Sequence, residues 1–297
     1  TGGSGIDIFY VDGGTNSITD LTTGDILIVS SDATVNAIDI SNFVATSDTS
    51  NRGLTNFSAA NGGSTIDLVN SAFGAYNLIG GSGVDILTGG IGNDTLFGGD
   101  GNDVFFVSSG SDTVTDLSTG DILVVSLGAT ANVKNISEFI ATNSTINNGT
   151  THLNAAEEGS VITLTKATGK GFNIIGGAGV DVLTGSFKND FLAGGNSGDT
   201  FVIEAGTDTV TDLSTGDILL VSSNAIATAL NVNQFVATNS TVNAGVVTLM
   251  AGENDSMIDV INSGMGMFFS GSYNLVGGIG ADILSSTNYA DVLHGGA

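Results

Sequence analysis

The sequence contains no cysteine, and it has 5 lysines and arginines against 30 aspartates and glutamates, for a formal charge of −25 over 297 residues. The absence of cysteine excludes a disulfide framework and a thiolate metal site. Such an acidic chain is a poor partner for nucleic acid or for anionic membrane surfaces. It also lacks the run of about 18 apolar residues that would predict a membrane-spanning helix. We therefore expect neither nucleic-acid binding nor membrane insertion.

The motifs of several enzyme classes are missing as well. No HExxH, GxSxG or GxxxxGK[ST] sequence occurs. The two histidines, His152 and His294, have no cysteine beside them, and we expect both at the surface. Counting carboxylates leaves a glycosidase-like acid pair open. However, equivalent acidic positions recur along the whole chain, which favours a structural protein over an enzyme with a single catalytic centre.

What the chain does contain is a periodic row of aspartates. The hydrophobic fraction of 41% and the mean hydropathy of +0.32 argue against disorder despite the charge. Within this apolar background, aspartate recurs at every ninth position in two runs: Asp85, Asp94, Asp103, Asp112, Asp121 and Asp181, Asp190, Asp199, Asp208, Asp217. A short unit repeated at constant spacing predicts a coil stacked on a coil, each presenting one carboxylate at the same place.

A longer period of 96 residues contains the short one, since Asp25, Asp121 and Asp217 each lie in a Thr-Gly-Asp-Ile segment. It predicts three modules, residues 1–97, 98–193 and 194–297. Gly80 and Gly176 are 96 residues apart, whereas Gly176 and Gly277 are 101 apart, so the third module carries 5 extra residues, which we place near 264–272. Because the chain begins and ends within a repeat, we expect it to be a window on a longer array.

Each nine-residue unit reads as a turn followed by a short strand. Glycine pairs supply the positive φ that other residues resist. About three extended residues follow, of which the middle one, at the eighth place, points inward. That place is apolar in seven consecutive units: Val69, Leu78, Leu87, Leu96, Phe105, Val114 and Leu123. The pattern predicts an all-β fold, a narrow parallel solenoid with an inner column of apolar side chains.

Three similar segments, roughly residues 29–61, 125–157 and 221–252, break the nine-residue phase. Each contains apolar residues at spacings of 3 and 4, as in residues 40–46 and 136–142, which favours a short helix or a turn. Each then continues into a strand-like stretch such as residues 246–249. We expect a short helix or turn and then strands that rejoin the solenoid.

The units GGSGVDIL (80–87), GGIGNDTL (89–96) and GGDGNDVF (98–105) resemble the GGxGxDxUx nonapeptides of the RTX (repeats-in-toxin) family. The resemblance implies a right-handed parallel β-roll with two nonapeptides per coil and Ca²⁺ between turns stacked on one side. Its ligands would be the sixth-place aspartates and the carbonyls of the turn glycines. The residues that match are Asp7, Asp25, Gly81, Gly83, Asp85, Gly90, Gly92, Asp94, Gly99, Gly101, Asp103, Asp112, Asp121, Gly177, Gly179, Asp181, Asp190, Gly195, Asp199, Asp208, Asp217, Gly278, Gly280 and Asp282.

Partners on the same side are then 18 residues apart, which pairs Asp85 with Asp103, Asp94 with Asp112, Asp103 with Asp121, Asp181 with Asp199 and Asp190 with Asp208. Some turns depart from the motif, including 185–190, 286–291 and 107–111, and Asn16 replaces one aspartate, so the number of ions is open. The alternative is that the aspartates only cap turns through hydrogen bonds.

Electrostatics favours a cation between these carboxylates. Two unit charges about 5 Å apart repel by roughly 0.8 kcal/mol in water and roughly 3 kcal/mol at an effective dielectric constant of 20. Several such pairs would rival the whole stability of a domain. Calcium accepts many oxygen ligands in loose geometry, whereas magnesium demands a tight octahedron. We therefore expect Ca²⁺ as the cofactor and expect the chain to fold as it binds the ion.

The places expected to face outward are often apolar, among them Ile86, Val104 and Ile122. Exposed apolar rows imply a covering surface, either the intervening segments folded back over them or neighbouring copies in a filament or lattice. We expect an extracellular or cell-surface structural protein of bacterial type I secretion, such as a surface layer, sheath, filament or adhesin stalk. It would self-associate, with cell-surface polysaccharide as a further candidate partner. The alternative is the calcium-folding or carbohydrate-engaging module of a secreted enzyme.

Overall fold

A computed structural model of the chain describes residues 1–264 and 271–297. The extra residues expected near 264–272 fall largely outside this description. The described residues form 34 strands and contain no helix, so none of them is in a helix that could cross a bilayer. The strands of the first half are β1 Ile8–Val11, β2 Gly14–Ile18, β3 Ile26–Val29, β4 Ala33–Ile40, β5 Asn42–Val44, β6 Ser50–Asn51, β7 Leu54–Ala59, β8 Thr65–Asp67, β9 Tyr76–Ile79, β10 Ile86–Thr88, β11 Thr95–Phe97, β12 Val104–Val107, β13 Ser111–Val114, β14 Ile122–Val125, β15 Thr130–Ile136, β16 Glu138–Ile140 and β17 Ile146–Asn147.

The strands of the second half follow the same order. They are β18 Thr150–Ala155, β19 Val161–Thr163, β20 Thr168–Gly169, β21 Asn173–Ile175, β22 Val182–Thr184, β23 Phe191–Ala193, β24 Thr200–Ile203, β25 Gly206–Val210, β26 Ile218–Val221, β27 Ala225–Val232, β28 Gln234–Val236, β29 Val242–Asn243, β30 Val246–Ala251, β31 Met257–Asp259, β32 Ser272–Val276, β33 Ile283–Ser285 and β34 Val292–His294. The all-β prediction is therefore confirmed.

The chain divides into two compact units, the first made of Thr1–Lys134 with Ala141–His152 and the second of Asn135–Ile140 with Leu153–Ala297. In the first unit, the strands form three parallel ladders. They are β1-β3-β6, β5-β8-β10-β12-β14-β17 and β2-β4-β7-β9-β11-β13-β15. The second unit repeats this plan with β16-β19-β22-β24-β26-β29, β28-β31-β33 and β21-β23-β25-β27-β30-β32-β34. Each unit is thus a parallel β-solenoid, while the three-module boundaries stay a prediction.

The register of the strands reproduces the sequence period. Ile86 pairs with Val104 and Val104 with Ile122, each a step of 18 residues. The eighth-place side chains therefore stack inside the coil, where Leu87, Phe105 and Leu123 are at most 1% exposed. Such a column forms a continuous core. It is two residues wide in the four-residue strands β12 and β14, where Val107 and Val125 are also buried. The inward eighth place is confirmed from Leu78 to Leu123.

The first nine-residue repeat of the predicted run, residues 62–70, is out of phase with the repeats that follow it. Thr65 pairs with Ile86 and Ile66 with Leu87, so the strand β8 places Ile66 inward, and Val69 is 44% exposed. The prediction for Val69 is wrong because the coil that ends at β10 is 21 residues long instead of 18. Gly62 precedes the inward residue Ile66 by 4 residues, whereas Gly80 precedes the inward residue Leu87 by 7.

The expected short helices are strands. Ile40 ends β4, and Phe43 lies in the middle of β5, with the corner at Ser41 between them. Asp39 and its equivalents Asn135 and Asn231 adopt φ of 58–59°, which turns the chain at this corner. One added corner residue changes the inward spacing from 2 to 3, which imitates a helix. The prediction that later strands rejoin the solenoid is confirmed by β30, which pairs with β27 and β32.

The intervening segments do not fold back over the apolar rows. They form longer coils of the same solenoid, with steps between paired residues of 19 to 26: Ser111 to Thr130, Asn42 to Thr65 and Val246 to Ser272 are examples. The outward side chains of the nonapeptide strands therefore stay partly open to solvent, and Ile86 is 37% exposed.

Candidate metal sites along the carboxylate rows

Most sixth-place carboxylates accept a backbone N–H from the coil before them. The Asp85 N–H donates to Oδ1 of Asp103, and the Asp103 N–H donates to Oδ1 of Asp121, both at 2.8 Å. The same bond, at 2.8 or 2.9 Å, links Asp7 to Asp25, Asp94 to Asp112, Asp181 to Asp199, Asp190 to Asp208 and Asp199 to Asp217. The five pairs expected from the spacing are therefore neighbours, which places the carboxylates in rows that follow the solenoid axis within each unit.

The second oxygen of several carboxylates binds the turn of its own coil. Oδ2 of Asp85 accepts the Gly81 N–H at 2.7 Å, and Oδ2 of Asp94 accepts the Gly90 N–H at 2.7 Å. Asp181 and Asp282 accept the N–H of Gly177 and Gly278 in the same way, both at 2.8 Å. Asp94 and Asp282 thus hold both the turn of their own coil and the preceding coil, because their Oδ1 atoms accept the N–H of Tyr76 and of Ser256.

Five of these aspartates keep one buried oxygen without a hydrogen-bond partner among the described residues. The unpartnered oxygens are Oδ2 of Asp7, Oδ1 of Asp85, Oδ2 of Asp112, Oδ1 of Asp181 and Oδ2 of Asp208. A buried polar atom without a partner costs about 1–3 kcal/mol, and more when it is charged. Turn capping alone therefore leaves these positions unsatisfied, whereas a cation or a proton would satisfy them.

The donor chemistry fits calcium where two carboxylates converge. Oδ2 of Asp94 and Oδ2 of Asp112 each lie 2.8 Å from the point where a Cβ on Gly89 would sit. Among residues 1–264 and 271–297, no three His, Cys, Asp or Glu side chains gather at one point. A cation at Gly89 would therefore complete its shell with backbone carbonyls or water, the hard oxygen set that Ca²⁺ accepts. Bound there, the ion would neutralise the two carboxylates and link their coils.

The capping alternative fits other turns better. In the turn at 185–190, where glycine is lost, the Ser186 N–H and hydroxyl both donate to Asp190, at 2.6 Å and 3.0–3.1 Å. Thr287 does the same for Asp291, at 2.8 Å and 2.6 Å. Ser118 and its equivalents Thr22 and Ser214 cap Asp121, Asp25 and Asp217. At these turns a hydroxyl group donates to the carboxylate, so the carboxylate oxygens are satisfied without a cation.

The glycines expected as carbonyl ligands all lie in the turns, but positive φ explains few of them. Of this set, Gly99, Gly101, Gly195 and Gly280 have positive φ. At Gly92, by contrast, an added Cβ would collide with the Gly74 carbonyl of the neighbouring coil. The Gly81 carbonyl accepts the Asp100 N–H at 3.0 Å, so the turns stack directly on one another. Ligation by the carbonyl groups of all eleven glycines stays a prediction: Gly81, Gly83, Gly90, Gly92, Gly99, Gly101, Gly177, Gly179, Gly195, Gly278 and Gly280.

Burial makes the ionised form of several row carboxylates unfavourable. It raises the pKa of Asp112 and of Asp208 to about 7, with the facing carboxylates of Asp94 and Asp190 as a further, smaller cause. It raises the pKa of Asp94, Asp103 and Asp199 to about 6. Because desolvation is the largest cause in each case, these carboxylates favour any positive partner.

The sequence prediction missed one group of acidic residues. Asp116 accepts the N–H groups of Gly98 and Gly99, at 2.9 and 2.7 Å. Asp212 accepts those of Gly194 and Gly195, at 2.9 and 2.8 Å. Both lie outside the sixth place of a nonapeptide. Their signal is the Thr-Asp-Leu sequence that recurs every 96 residues at 19–21, 115–117 and 211–213.

Replacing Gly89 with alanine is expected to weaken the fold and to remove a cation site. The new methyl group would occupy the space between Oδ2 of Asp94 and Oδ2 of Asp112. Overpacking of this kind typically costs about 1–3 kcal/mol. Urea unfolding in saturating calcium measures the loss of stability. Gly62→Ala is the matched control, because no atom lies within 4 Å of its added Cβ. Equal stability of the two variants would contradict the convergence of the carboxylates.

Parallel coils that carry a buried carboxylate at each glycine-rich turn define the class of metal-binding β-solenoids. Residues 79–114, 175–210 and 276–297 match the sequence model of the RTX calcium-binding nonapeptide repeat. The resemblance seen in the nonapeptides is thus confirmed, and the family implies calcium as the ion. No curated protein and no solved structure gives a match to the chain.

Proposed function

We propose that the chain is an extracellular structural protein that becomes rigid and self-associates when it binds Ca²⁺, as part of a surface layer, sheath, filament or adhesin stalk. Its role is mechanical and not catalytic, and cell-surface polysaccharide is a candidate partner. Proteins with RTX repeats are typically secreted by bacteria, which supports an extracellular, calcium-rich setting. Extracellular calcium modules commonly bind the ion at about 10⁻⁴–10⁻³ M.

The observation that carries the calcium part of this proposal is the set of buried, unpartnered carboxylate oxygens. They recur at equivalent places in the two units, Oδ1 of Asp85 and of Asp181 and Oδ2 of Asp112 and of Asp208. Because the same oxygens lack a hydrogen-bond partner in both units, the missing partner is a property of the repeat. A cation shared between successive coils satisfies it and adds its binding free energy to the fold. Many equivalent sites suit a mechanical role better than one reaction centre does.

Self-association is supported by apolar columns on the outer face of each unit. In the first unit, Ile86, Val104 and Ile122 are paired neighbours, and Phe106 and Val124 form a second column beside them. In the second unit, Val202 pairs with Leu220 and Leu220 with Val242. These outward side chains are only half buried, or exposed in the case of Ile86. Contiguous apolar surface of this kind is characteristic of protein interfaces.

A calcium titration followed by light scattering and electron microscopy tests the proposal. We expect ordered assemblies to appear as calcium reaches millimolar levels. The double variant Ile86→Thr/Ile122→Thr should assemble much less while keeping the melting temperature of the calcium-bound chain, because threonine retains strand propensity. Leu127→Thr is the control, since Leu127 is 81% exposed and lies outside the columns. Calcium-loaded protein that stays monomeric at all concentrations would refute self-association.

A further inference from the structure

Asp116 and Asp212 change the hydrogen bonding of the turn that they hold. In the ordinary turn, the N–H of the second glycine donates to the sixth-place aspartate of the same coil, as Gly81 does to Oδ2 of Asp85 at 2.7 Å. In the turn before Asp103, the corresponding N–H of Gly99 donates to Oδ2 of Asp116 instead, at 2.7 Å. The carboxylate of Asp116 therefore takes a donor that the motif would give to Asp103.

Asp103 is left with an oxygen that no donor reaches. Its Oδ1 accepts the Asp85 N–H at 2.8 Å, whereas no described residue donates to its Oδ2. Asp103 is only 1% exposed, and a Cβ added to Gly98 would collide with this Oδ2, so the oxygen faces the inside of the turn. A carboxylate oxygen that has no backbone donor, on a residue only 1% exposed, is available to a cation.

The same exchange occurs at the equivalent turns. Asp212 accepts the Gly194 and Gly195 N–H groups, and Asp199, 1% exposed, keeps its Oδ2 without a donor. Asp20 accepts the Gly3 N–H at 2.9 Å, and there Oδ2 of Asp7 is a buried oxygen without any partner. Three copies at 96-residue spacing make the arrangement a feature of the module and not of one turn.

We propose that Asp116 and Asp212 are positioning residues for calcium: each binds both N–H groups of a Gly-Gly turn and thereby frees Oδ2 of Asp103 or Asp199 to ligate the ion. The inference rests on the proposed calcium-dependent function and assigns to this chain two residues outside the nonapeptide motif. These two hydrogen bonds also fix the backbone of the turn, so the freed oxygen faces a turn of defined geometry. Asp116 and Asp212 lie where a nonapeptide run meets the longer coils. At this end of the row, Ser118 caps Asp121 and Ser214 caps Asp217.

The double variant Asp116→Asn/Asp212→Asn tests this assignment in the full chain. An asparagine amide group would face one glycine N–H, so that N–H should return to Oδ2 of Asp103 or Asp199 and occupy it. We expect one bound ion fewer per substituted turn in equilibrium dialysis with radioactive calcium, or about fivefold to tenfold weaker binding there, the net worth of a hydrogen bond. The control is Asp32→Asn/Asp48→Asn, which removes the same charge from two exposed positions outside the nonapeptide turns.

The outcomes separate this inference from the proposed function. Wild-type protein that binds no calcium would overturn the proposed function itself. If the wild type binds calcium, and the test and control double variants bind as many ions with the same affinity, the positioning role alone would be overturned. Far-UV circular dichroism of each variant in calcium shows whether it folds, and the single variant Asp116→Asn, expected to lose one ion, gives the same test with less disturbance. A purely structural role would lower the unfolding midpoint without changing the number of ions bound.

Discussion

Removing calcium at neutral pH is expected to melt most of the β-solenoid. Among the described residues, the buried unpartnered oxygens of the rows have no hydrogen-bond donor or positive group as a partner. The sequence has only 5 lysines and arginines to compensate 30 acidic residues. Without the ion, each of these positions carries a desolvated charge or must take up a proton. We therefore expect addition of a chelator to lower the melting temperature steeply and to reduce the β-sheet signal in far-UV circular dichroism.

The expected size of the effect follows from linkage. An ion that binds only the folded chain stabilises it by about 2.7 kcal/mol per site at a concentration 100 times its Kd. A domain of ordinary stability has about 5–15 kcal/mol in total. A few sites are therefore enough to decide whether the solenoid is folded. The melting temperature should rise continuously with calcium concentration, because binding and folding are coupled.

The control for this experiment is magnesium at equal ionic strength. Magnesium screens charge as well as calcium does, but it holds its water and demands an octahedral site, so it should restore little of the fold. A chelator-treated sample that keeps its full melting temperature would show that hydrogen bonds alone hold the rows. Recovery with any salt would show that general screening, and not ligation, stabilises the coils.

The sequence was sufficient to predict the register of the nonapeptide coils. A nine-residue period with two units per coil fixes a step of 18, and Asp85, Asp103 and Asp121 follow it. The inward column was predictable for the same reason, because a strand alternates its faces with period 2. What repetition fixes is the position of each residue in the coil, and therefore which carboxylates are neighbours.

The sequence was not sufficient where coils change length. The nine-residue count predicts an inward Val69 because it ignores the three residues by which this coil is longer than 18. The hydrogen-bond partner of each carboxylate was also hidden, since it depends on the neighbouring coil. Asp116 shows this best: its spacing to Gly98 and Gly99 crosses one coil, and the nonapeptide motif says nothing about it.

The stability of the calcium-free protein is expected to increase as the pH falls from about 8 towards 4. Burial raises the pKa of Asp112 and of Asp208 to about 7, above the ordinary value of 3.8. A carboxyl whose pKa is higher in the folded state than in the unfolded state binds protons preferentially in the folded state. Its contribution to stability is complete below the unfolded pKa and is lost as the pH rises through the folded pKa. Chelator-treated samples melted at a series of pH values measure this slope.

With calcium present the slope should reverse, because protons compete with the ion for the same oxygens. The double variant Asp112→Asn/Asp208→Asn separates the two effects. Asparagine has the shape of a protonated aspartate and carries no charge, so the variant should be more stable than the wild type without calcium at pH 8 and should depend less on pH. The same variant should gain less stability from calcium, because it has lost an anionic ligand in each unit. The control Asp32→Asn/Asp48→Asn removes two exposed charges and should change neither slope nor calcium response.

One substitution is thus expected to stabilise the ion-free chain and weaken the ion-bound chain, which a capping role does not predict. If Asp112 and Asp208 only capped turns, asparagine would keep the single N–H bond that Oδ1 accepts and would shift the ion-free and the calcium-bound melting temperatures alike. If instead neighbouring carboxylates repel them until calcium neutralises the charge, the melting temperatures of the wild type and the variant should cross as calcium is added. A wild-type chain whose ion-free melting temperature is the same at pH 5.5 and pH 8 would contradict the second account. The crossing itself would mean that buried negative charge keeps the chain loose until the ion arrives.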